Sequence, residues 1–234
     1  RERQSLCHKS QSLSDVAILF SRTSLYRKSN QLFGDWGKNL TPCTALLDAV
    51  LACHRSVDVM PDWAPLKWPL LVIPEWEEIG DALAQEIASQ VRGGLKLLLT
   101  GPINAKKFGR LFGQKLDPSQ ELTPHELGKG RVVLASTSIA VRQGLFELGP
   151  AQISIKDTSA PLELVLRKQG EQTVLHFLNR GSSLPGQQVK LSLAQAPTKI
   201  RWEPSGRAIQ FEWRDGYAAF QTPPIPLHAM AVID

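Results

Sequence analysis

Leu95-Lys96-Leu97-Leu98-Leu99-Thr100-Gly101 runs directly into Pro102-Ile103-Asn104-Ala105, and this stretch decides the fold of the first half of the chain. An unbroken apolar run is typical of a strand buried on both faces of a parallel sheet. Gly101 allows a tight turn, and a proline fits the first position of a helix because its missing N–H would have no partner there. The stretch therefore predicts a strand, a turn and a helix in direct succession.

The turn lacks a side chain that could make it reactive. In hydrolytic enzymes built on a strand–turn–helix unit, a serine or cysteine at the turn is the nucleophile. Here the positions hold Pro102, Ile103 and Asn104. We therefore expect no catalytic residue at this turn, and no hydrolysis of glutamine, because no thiolate can form there.

Strands and helices alternate on both sides of this unit. The apolar runs that predict strands lie at 15–20, 57–60, 69–73 and 131–135. Helices are predicted after Thr41-Pro42, over 77–92 and over 103–112. Strands separated by helices of this length pair in parallel through right-handed crossovers, so the sequence predicts an α/β domain with a flavodoxin-like, doubly wound parallel sheet over residues 15–149.

The pattern changes at Leu148-Gly149-Pro150. Short strand-like runs follow at 161–167, 172–179, 189–194, 198–203, 207–213 and 226–233. Turn-forming pairs such as Pro185-Gly186 and Asp215-Gly216 separate them, and no helical period intervenes. Many short strands with regular turns predict a small all-β sandwich over residues 150–234.

Charge and composition argue against two classes of partner. The 234 residues include 27 Lys and Arg against 22 Asp and Glu, but this net charge of +5 is spread over both halves of the chain. A nucleic-acid footprint would be concentrated on one face, and a membrane span needs about 18 consecutive apolar residues. We therefore expect neither nucleic acid nor a membrane as a partner.

The three cysteines predict neither a disulfide nor a metal site. Cys43 and Cys53 lie ten residues apart on one predicted helix, about 15 Å along its axis, whereas a disulfide needs Cα atoms within about 7 Å. Cys7 lies in a polar tail. Unbridged thiols slightly favour a cytoplasmic location, but the chain begins without an initiator Met and its compartment stays open.

The carboxyl ends of parallel strands are the expected place for a ligand pocket in such a sheet. Glu75 ends one buried strand, Asn104 follows the turn, and Arg22 and Tyr26 follow the first strand. We expect these four side chains to crowd one edge of the sheet. The alternative is a polar rim that faces a neighbouring domain.

Three tryptophans, Trp63, Trp68 and Trp76, lie between closely spaced prolines. The prolines hold this segment extended and deny it ladder hydrogen bonds, which suits a protruding loop. Large aromatic side chains serve as anchors at interfaces, so we expect an intermolecular or interdomain contact here. Stacking on sugar rings and plain packing in the core are the alternatives, although three large rings so close together cannot all enter the core of one short strand.

An enzymatic alternative would use an unrecognised constellation of Glu75, Asn104 and His125. The sequence Pro124-His125-Glu126 offers a base beside a carboxylate, but a plain loop is the favoured interpretation because the turn holds no cysteine. No cofactor is expected, because Gly128-Lys129-Gly130 lacks the glycine spacing of a nucleotide-binding loop and precedes a strand. No metal is expected either.

Several stretches together resemble the amidotransferase-like domain found behind the catalytic barrel of glycoside hydrolases. They are Val16-Ala17-Ile18-Leu19-Phe20-Ser21, Ser24-Leu25-Tyr26, Ala45-Leu46-Leu47-Asp48-Ala49, Leu71-Val72-Ile73-Pro74-Glu75, Gly93 to Gly101, and Gly128-Lys129-Gly130-Arg131-Val132. The domain is similar to the β-galactosidase trimerisation domain, a class I glutamine amidotransferase-like domain without the cysteine. A small β-domain follows in that family, and residues 160–167 and 174–179 match it.

The resemblance implies assembly rather than catalysis. The family's catalytic carboxylates belong to a barrel of roughly 250 residues, which this chain is too short to contain beside its two domains. Residues 1–14 would then be the linker from a missing N-terminal catalytic domain. The implied partners are a second copy of the chain, the catalytic barrel of the same parent, and carbohydrate.

The expected function is that of a non-catalytic C-terminal fragment of a glycoside hydrolase. It would serve oligomer assembly or complete the active site of the absent barrel. The alternatives are an amidotransferase-like or hydrolase-like enzyme with an atypical site, and a carbohydrate-binding module.

Overall fold

Helices and strands alternate through the first half of the chain and give way to strands alone in the second. The computed structural model describes residues 4–28, 40–157 and 159–234. The elements, numbered in chain order, are α1 (Gln4–Cys7), β1 (Gln11–Ser12), β2 (Val16–Phe20), α2 (Arg22–Lys28), α3 (Thr41–Leu51), β3 (Val57–Pro61), β4 (Leu70–Ile73), α4 (Asp81–Gly93), β5 (Lys96–Leu99), α5 (Pro102–Phe112), β6 (His125–Leu127), β7 (Gly130–Leu134), α6 (Ser138–Glu147), β8 (Ile153–Ile155), β9 (Leu162–Gln169), β10 (Gln172–Asn179), β11 (Gln188–Ser192), β12 (Ile200–Glu203), β13 (Arg207–Ile209), β14 (Phe211–Arg214), β15 (Tyr217–Gln221) and β16 (His228–Ile233).

These elements form two units. The α/β unit comprises residues 16–50 and 57–150, and the β unit comprises the residues up to 15, then 51–56 and 151–234. The prediction of an α/β domain together with a β-rich domain is thereby confirmed. No described helix is both long and apolar enough to cross a membrane.

The sheet of the α/β unit has the strand order β3-β2-β4-β5-β7-β6. The first five strands are parallel, and β6 pairs antiparallel with β7 at the edge. Every residue of β4 is buried, as are the first four residues of β2. Such continuous burial arises because helices cover both faces of a parallel sheet.

The helices of this unit begin and end where local chemistry allows. The buried face of α4 holds Ala84, Ile87, Ala88 and Val91, which recur at helical spacing. This helix starts at Asp81, four residues later than predicted, because the backbone N–H and carbonyl of Glu78 bond to serine hydroxyls outside the helix. Helix α6 was not predicted from the sequence. Its N-cap is Thr137, whose hydroxyl accepts a hydrogen bond of 3.1 Å from the Ala140 N–H.

The β unit contains two antiparallel sheets, ordered β1-β9-β10-β16-β12-β13 and β14-β15-β11-β8. Inward side chains of both sheets pack into one apolar core. Leu164 and Phe177 enter this core from the first sheet, and Val189 and Phe220 enter it from the second. Alternating burial along β9 and β11 follows from the two-residue period of a strand with one face on the core.

Residues near the start of the chain belong to the β unit. In β1, Gln11 and Ser12 pair with Lys168 and Arg167 of β9. Leu13 packs against the core of the unit, and Leu6 packs on the opposite face of the larger sheet. The described part of the segment expected to be a linker therefore includes an edge strand.

Residues 51–56 also join the β unit, although they lie between two elements of the α/β unit in sequence. The Arg55 guanidinium lies 2.8 Å from the Asp15 carboxylate, and Arg55 is almost fully buried. His54 Nε2 lies 2.9 Å from the carbonyl oxygen of Ala160. The Ser56 hydroxyl accepts the Leu166 N–H at 3.0 Å. The expected boundary near residue 150 is therefore one of several points where the chain passes between units.

Candidate functional site

The turn between β5 and α5 is the centre of the candidate site at the carboxyl edge of the parallel sheet. Gly101 has a φ of +78°, and a β-carbon there would lie 2.0 Å from Glu75 Cδ. Glu75 Oε1 accepts a hydrogen bond of 3.4 Å from the Ile103 N–H in the first turn of α5. A carboxylate is stabilised at a helix N-terminus by the N–H groups that have no partner in the helix. Glu75 therefore fills the space above this turn.

Asn104 ties the turn to the neighbouring strand. Its side chain is buried, and Nδ2 donates to the carbonyl oxygens of Pro74 at 2.7 Å and Thr100 at 2.8 Å. A further contact to the Ile73 carbonyl measures 3.4 Å. The amide hydrogens are thus directed at backbone, so Asn104 is a structural residue at this edge rather than part of an open pocket.

Trp76 fills the crevice where the strand order reverses. In open α/β sheets, ligands bind at the carboxyl ends of the strands on either side of this point, which here are β2 and β4. Trp76 has 1% of its surface exposed, and its indole N–H donates to the Leu19 carbonyl at 2.8 Å. Its ring meets Phe20 edge to face at 6.0 Å. Trp76 therefore cannot provide the interface or sugar contact expected of it, because it belongs to the core.

Two serines that the sequence analysis missed close the same crevice. The hydroxyls of Ser21 and Ser24 donate to the Glu78 carbonyl oxygen at 2.8 and 3.0 Å. The Glu78 N–H in turn donates to the Ser24 hydroxyl oxygen at 2.7 Å. Both serines are buried. Small hydroxyl residues directly after a buried strand were the available signal, because such side chains bond local backbone.

Arg22, Tyr26 and Trp63 form a separate surface, the Trp63 patch. The Arg22 guanidinium lies 4.7 Å from the centre of the Trp63 ring, a cation–π arrangement. Trp63 is 62% exposed and Tyr26 is 70% exposed. Arg22 and Tyr26 share one face of α2, since they are four residues apart. The four predicted pocket residues thus divide into two groups, with Glu75 and Asn104 at the turn and Arg22 and Tyr26 in this patch.

Trp68 is half-buried and fixed by polar contacts. Its indole N–H donates to Asp58 Oδ2 at 2.8 Å, and the Lys67 ammonium lies 4.9 Å from its ring centre. These contacts orient the ring but leave part of it accessible. Of the three tryptophans, Trp63 offers the most exposed ring.

His125 does not join Glu75 and Asn104. It lies in β6 opposite Val132, and the strands β7 and β5 separate it from β4, where the Glu75 segment begins. Three strand spacings amount to about 14 Å, too far for a shared proton. The predicted alternative constellation is therefore wrong. Glu126 pairs instead with Arg131 at 2.6 Å.

Two other groups that could react, a thiol and an ammonium, are buried or already hydrogen-bonded. Cys43 is buried, and burial raises the pKa of its thiol, which disfavours the nucleophilic thiolate. Lys107 of α5 donates to Asp81 at 2.9 Å and also to the Ile79 carbonyl. The hydrogen bond from Lys107 lowers the pKa of Asp81. Among the described residues, no group of three or more His, Cys, Asp or Glu could hold a metal ion.

Comparison with known proteins gives a likeness of fold. No family's sequence profile matches the chain, and no curated protein sequence matches it. Solved structures do match. An α-L-fucosidase isoenzyme 2 from Paenibacillus thiaminolyticus has a TM-score of 0.69 at 14% identity over 100% of this chain and 50% of its own. A β-galactosidase from Bacillus circulans sp. alkalophilus has a TM-score of 0.66 at 13% identity over 99% of this chain and 43% of its own.

A rhamnosidase from Novosphingobium sp. PP1Y also matches, with a TM-score of 0.62 at 14% identity over 97% of this chain and 23% of its own. The chain therefore has a fold that is found in glycoside hydrolases, and it spans half or less of the length of each of these three proteins.

Proposed function

We propose that this chain is a non-catalytic portion of a glycoside hydrolase-like protein and that its α/β unit serves the assembly of that protein. The observation that carries this proposal is the turn at Gly101, where Pro102, Ile103 and Asn104 replace a nucleophile and the Glu75 carboxylate fills the space above. A substrate carbonyl would find neither room nor an attacking atom there. The matches to fucosidase, β-galactosidase and rhamnosidase structures support the class of parent protein.

We further propose that the α/β unit is flavodoxin-like and amidotransferase-like. Counted along the chain, its parallel strands lie in the order second, first, third, fourth, fifth. This order is that of flavodoxin-like sheets. In an amidotransferase-like unit, the turn after the fourth of these strands would be the place for the catalytic cysteine. The glycine and proline found there support a unit that has lost hydrolysis and kept the scaffold.

The Trp63 patch is the surface that we assign to assembly, with a second copy of the chain as partner. Tryptophan, tyrosine and arginine are the residue types that most often anchor interfaces. The Arg22 guanidinium holds the exposed Trp63 ring in one orientation, which reduces the entropy lost on binding. Contact with a catalytic barrel of the same parent is the further role proposed for this unit.

Sedimentation velocity over a range of protein concentrations tests this assignment. We expect the chain to self-associate. Trp63→Ala should raise the concentration at the midpoint of association at least tenfold, because burying the indole contributes on the order of 1.5–3 kcal/mol to association. Leu227→Ala is the matched control, because Leu227 is an apolar side chain of the β unit that is even more exposed than Trp63. A chain that stays monomeric, or variants that associate alike, would refute the assignment.

Activity assays test the absence of catalysis independently. We expect no turnover of nitrophenyl glycosides or of glutamine by the chain alone. Turnover that Glu75→Gln abolishes while Glu77→Gln leaves it intact would overturn the non-catalytic role. Glu77 is a suitable control because it is an exposed carboxylate two residues away.

A further inference from the structure

The outer face of the smaller sheet in the β unit carries polar side chains in register across three strands. Gln188 of β11 pairs with Gln221 of β15, and Lys190 of β11 pairs with Ala219 of β15. Ala219 also pairs with Glu212 of β14. Gln210 directly precedes Phe211, the partner of Phe220, so it stands beside Gln221. The result is a row of three glutamines next to a row of lysine, alanine and glutamate.

Alternating burial shows that these side chains point away from the core. In β11, Gln188 and Lys190 are exposed while Val189 and Leu191 are buried. In β15, Ala218 and Phe220 are buried while Gln221 is exposed. These two rows therefore face solvent, and their members can contact a ligand without any change in the core.

Ala219 leaves a gap in the middle of the face. Lys190 and Glu212 stand on either side of it, two strand spacings or about 10 Å apart. Within the described part of the chain, neither of them makes an ion pair. The six residues border a groove with a volume of about 560 Å³, which lies within the range of small-molecule sites.

The side chains around the gap fit hydroxyl groups. A hydroxyl both donates and accepts, and this face offers the three donors of the Lys190 ammonium, the acceptors of the Glu212 carboxylate and both kinds of group on each glutamine amide. Lys190 and Glu212 are the charged residues that line the groove, one of each sign, and the exposed Lys156 lies beside Gln188 at its border. The Ala219 methyl group supplies an apolar floor for the C–H face of a ring.

We propose that the groove over Ala219 binds a neutral, hydroxyl-rich ligand, namely a sugar unit of a glycan. Lys190 and Glu212 bind hydroxyls on opposite sides of the ring, and the glutamine row contacts the adjoining unit. The proposal depends only on the β unit, so it stands or falls separately from the role in assembly. Because the site is open and polar, its affinity is weak, with a dissociation constant on the order of 1 mM.

The test is a titration of the ¹⁵N-labelled full chain with D-galactose, L-fucose, L-rhamnose and lactose, followed by amide chemical shifts. We expect at least one of these neutral sugars to shift amides of β11, β14 and β15 in a saturable way. Glu212→Gln and Lys190→Met should each weaken binding about tenfold, as expected for the loss of a hydrogen bond to a charged group. Ala219→Leu should abolish binding because it fills the gap.

Glu171→Gln is the matched control, since Glu171 is a fully exposed carboxylate in the turn between β9 and β10. It should bind sugar as the unchanged chain does. Glu212→Gln is nearly isosteric and faces solvent, so it keeps the proposal testable if Ala219→Leu disturbs the fold. Four results would each overturn the proposal. They are amide shifts outside the three strands, no shift with any of the four sugars, equal binding by all variants, and binding of a sulfated sugar alone.

Discussion

The carboxylate of Glu75 occupies the space that a side chain at Gly101 would need. A β-carbon on Gly101 would lie 2.0 Å from Glu75 Cδ, and the same carboxylate accepts the Ile103 N–H. The φ of +78° at Gly101 is also one that L residues rarely adopt. Steric and conformational demands thus both require glycine here, and together they explain why this turn presents backbone rather than a reactive side chain.

Gly101→Ala should lower the free energy of unfolding by about 2–4 kcal/mol, because it adds a steric clash to an unfavourable backbone conformation. Glu75→Ala in the same chain should recover part of this loss by removing the clash. Urea denaturation of the single and double variants measures the coupling between the two positions.

Gly113→Ala separates the cost of the unfavourable backbone conformation from the cost of the steric clash. Gly113 has a φ of +73°, but a β-carbon there would have no atom within 4 Å. We expect it to cost about 1–2 kcal/mol, the conformational part alone. Equal losses in Gly101→Ala and Gly113→Ala, with no recovery in the double variant, would contradict the steric role of Glu75.

His176 should make the β unit sensitive to acid. Its Nδ1 lies 3.2 Å from Nε2 of His228. Burial, followed by the charges of His228 and Arg167, lowers the pKa of His176 from 6.5 to about 4. A proton therefore binds His176 more readily in the unfolded chain. The contribution of the neutral ring to the free energy of unfolding is fully present above pH 6.5 and is lost as the pH falls toward 4.

The expected loss over this range is about 1–2 kcal/mol, less than the full shift implies because the ring is partly exposed. Chemical denaturation at pH 4 to 7 measures it. His176→Gln should flatten the dependence, and His8→Gln should leave it unchanged because His8 is exposed. The same slope in His176→Gln and in the unchanged chain would refute the assignment.

A fragment of residues 151–234 should not fold cooperatively on its own. It would lack β1 beside β9, the Ser56 hydroxyl that accepts the Leu166 N–H, and the His54 contact to the Ala160 carbonyl. Circular dichroism and thermal unfolding of the fragment would measure this. A sharp unfolding transition equal to that of the β unit in the full chain would contradict the expectation.

The helices and strands with a regular apolar pattern could be predicted from the sequence because residues close together in the chain determine them. The predicted strand at 69–73 corresponds to β4 (Leu70–Ile73), and the predicted helix at 103–112 corresponds to α5 (Pro102–Phe112). Continuous apolar runs and proline at a helix start act within a few residues. α6 was missed because Gly144 and β-branched residues weaken its helical pattern, although Thr137 offered a cap.

The candidate site was less predictable because its contacts join residues that lie far apart in the sequence. Trp76 looked like a surface ring among prolines, yet its partner, the Leu19 carbonyl, is 57 residues away. Residues 51–56 contact groups more than 100 residues later in the chain. Periodicity within a short window holds no information about such partners. The polar rows of the smaller sheet needed the register of three strands, which sequence spacing alone does not determine.

The chain passes between its two units four times, at 15/16, 50/51, 56/57 and 150/151. Genetic recombination that moves one contiguous stretch of coding sequence could therefore not transfer the β unit alone. It would leave β1 or residues 51–56 behind. A contiguous stretch that carries the complete β unit therefore also carries the α/β unit.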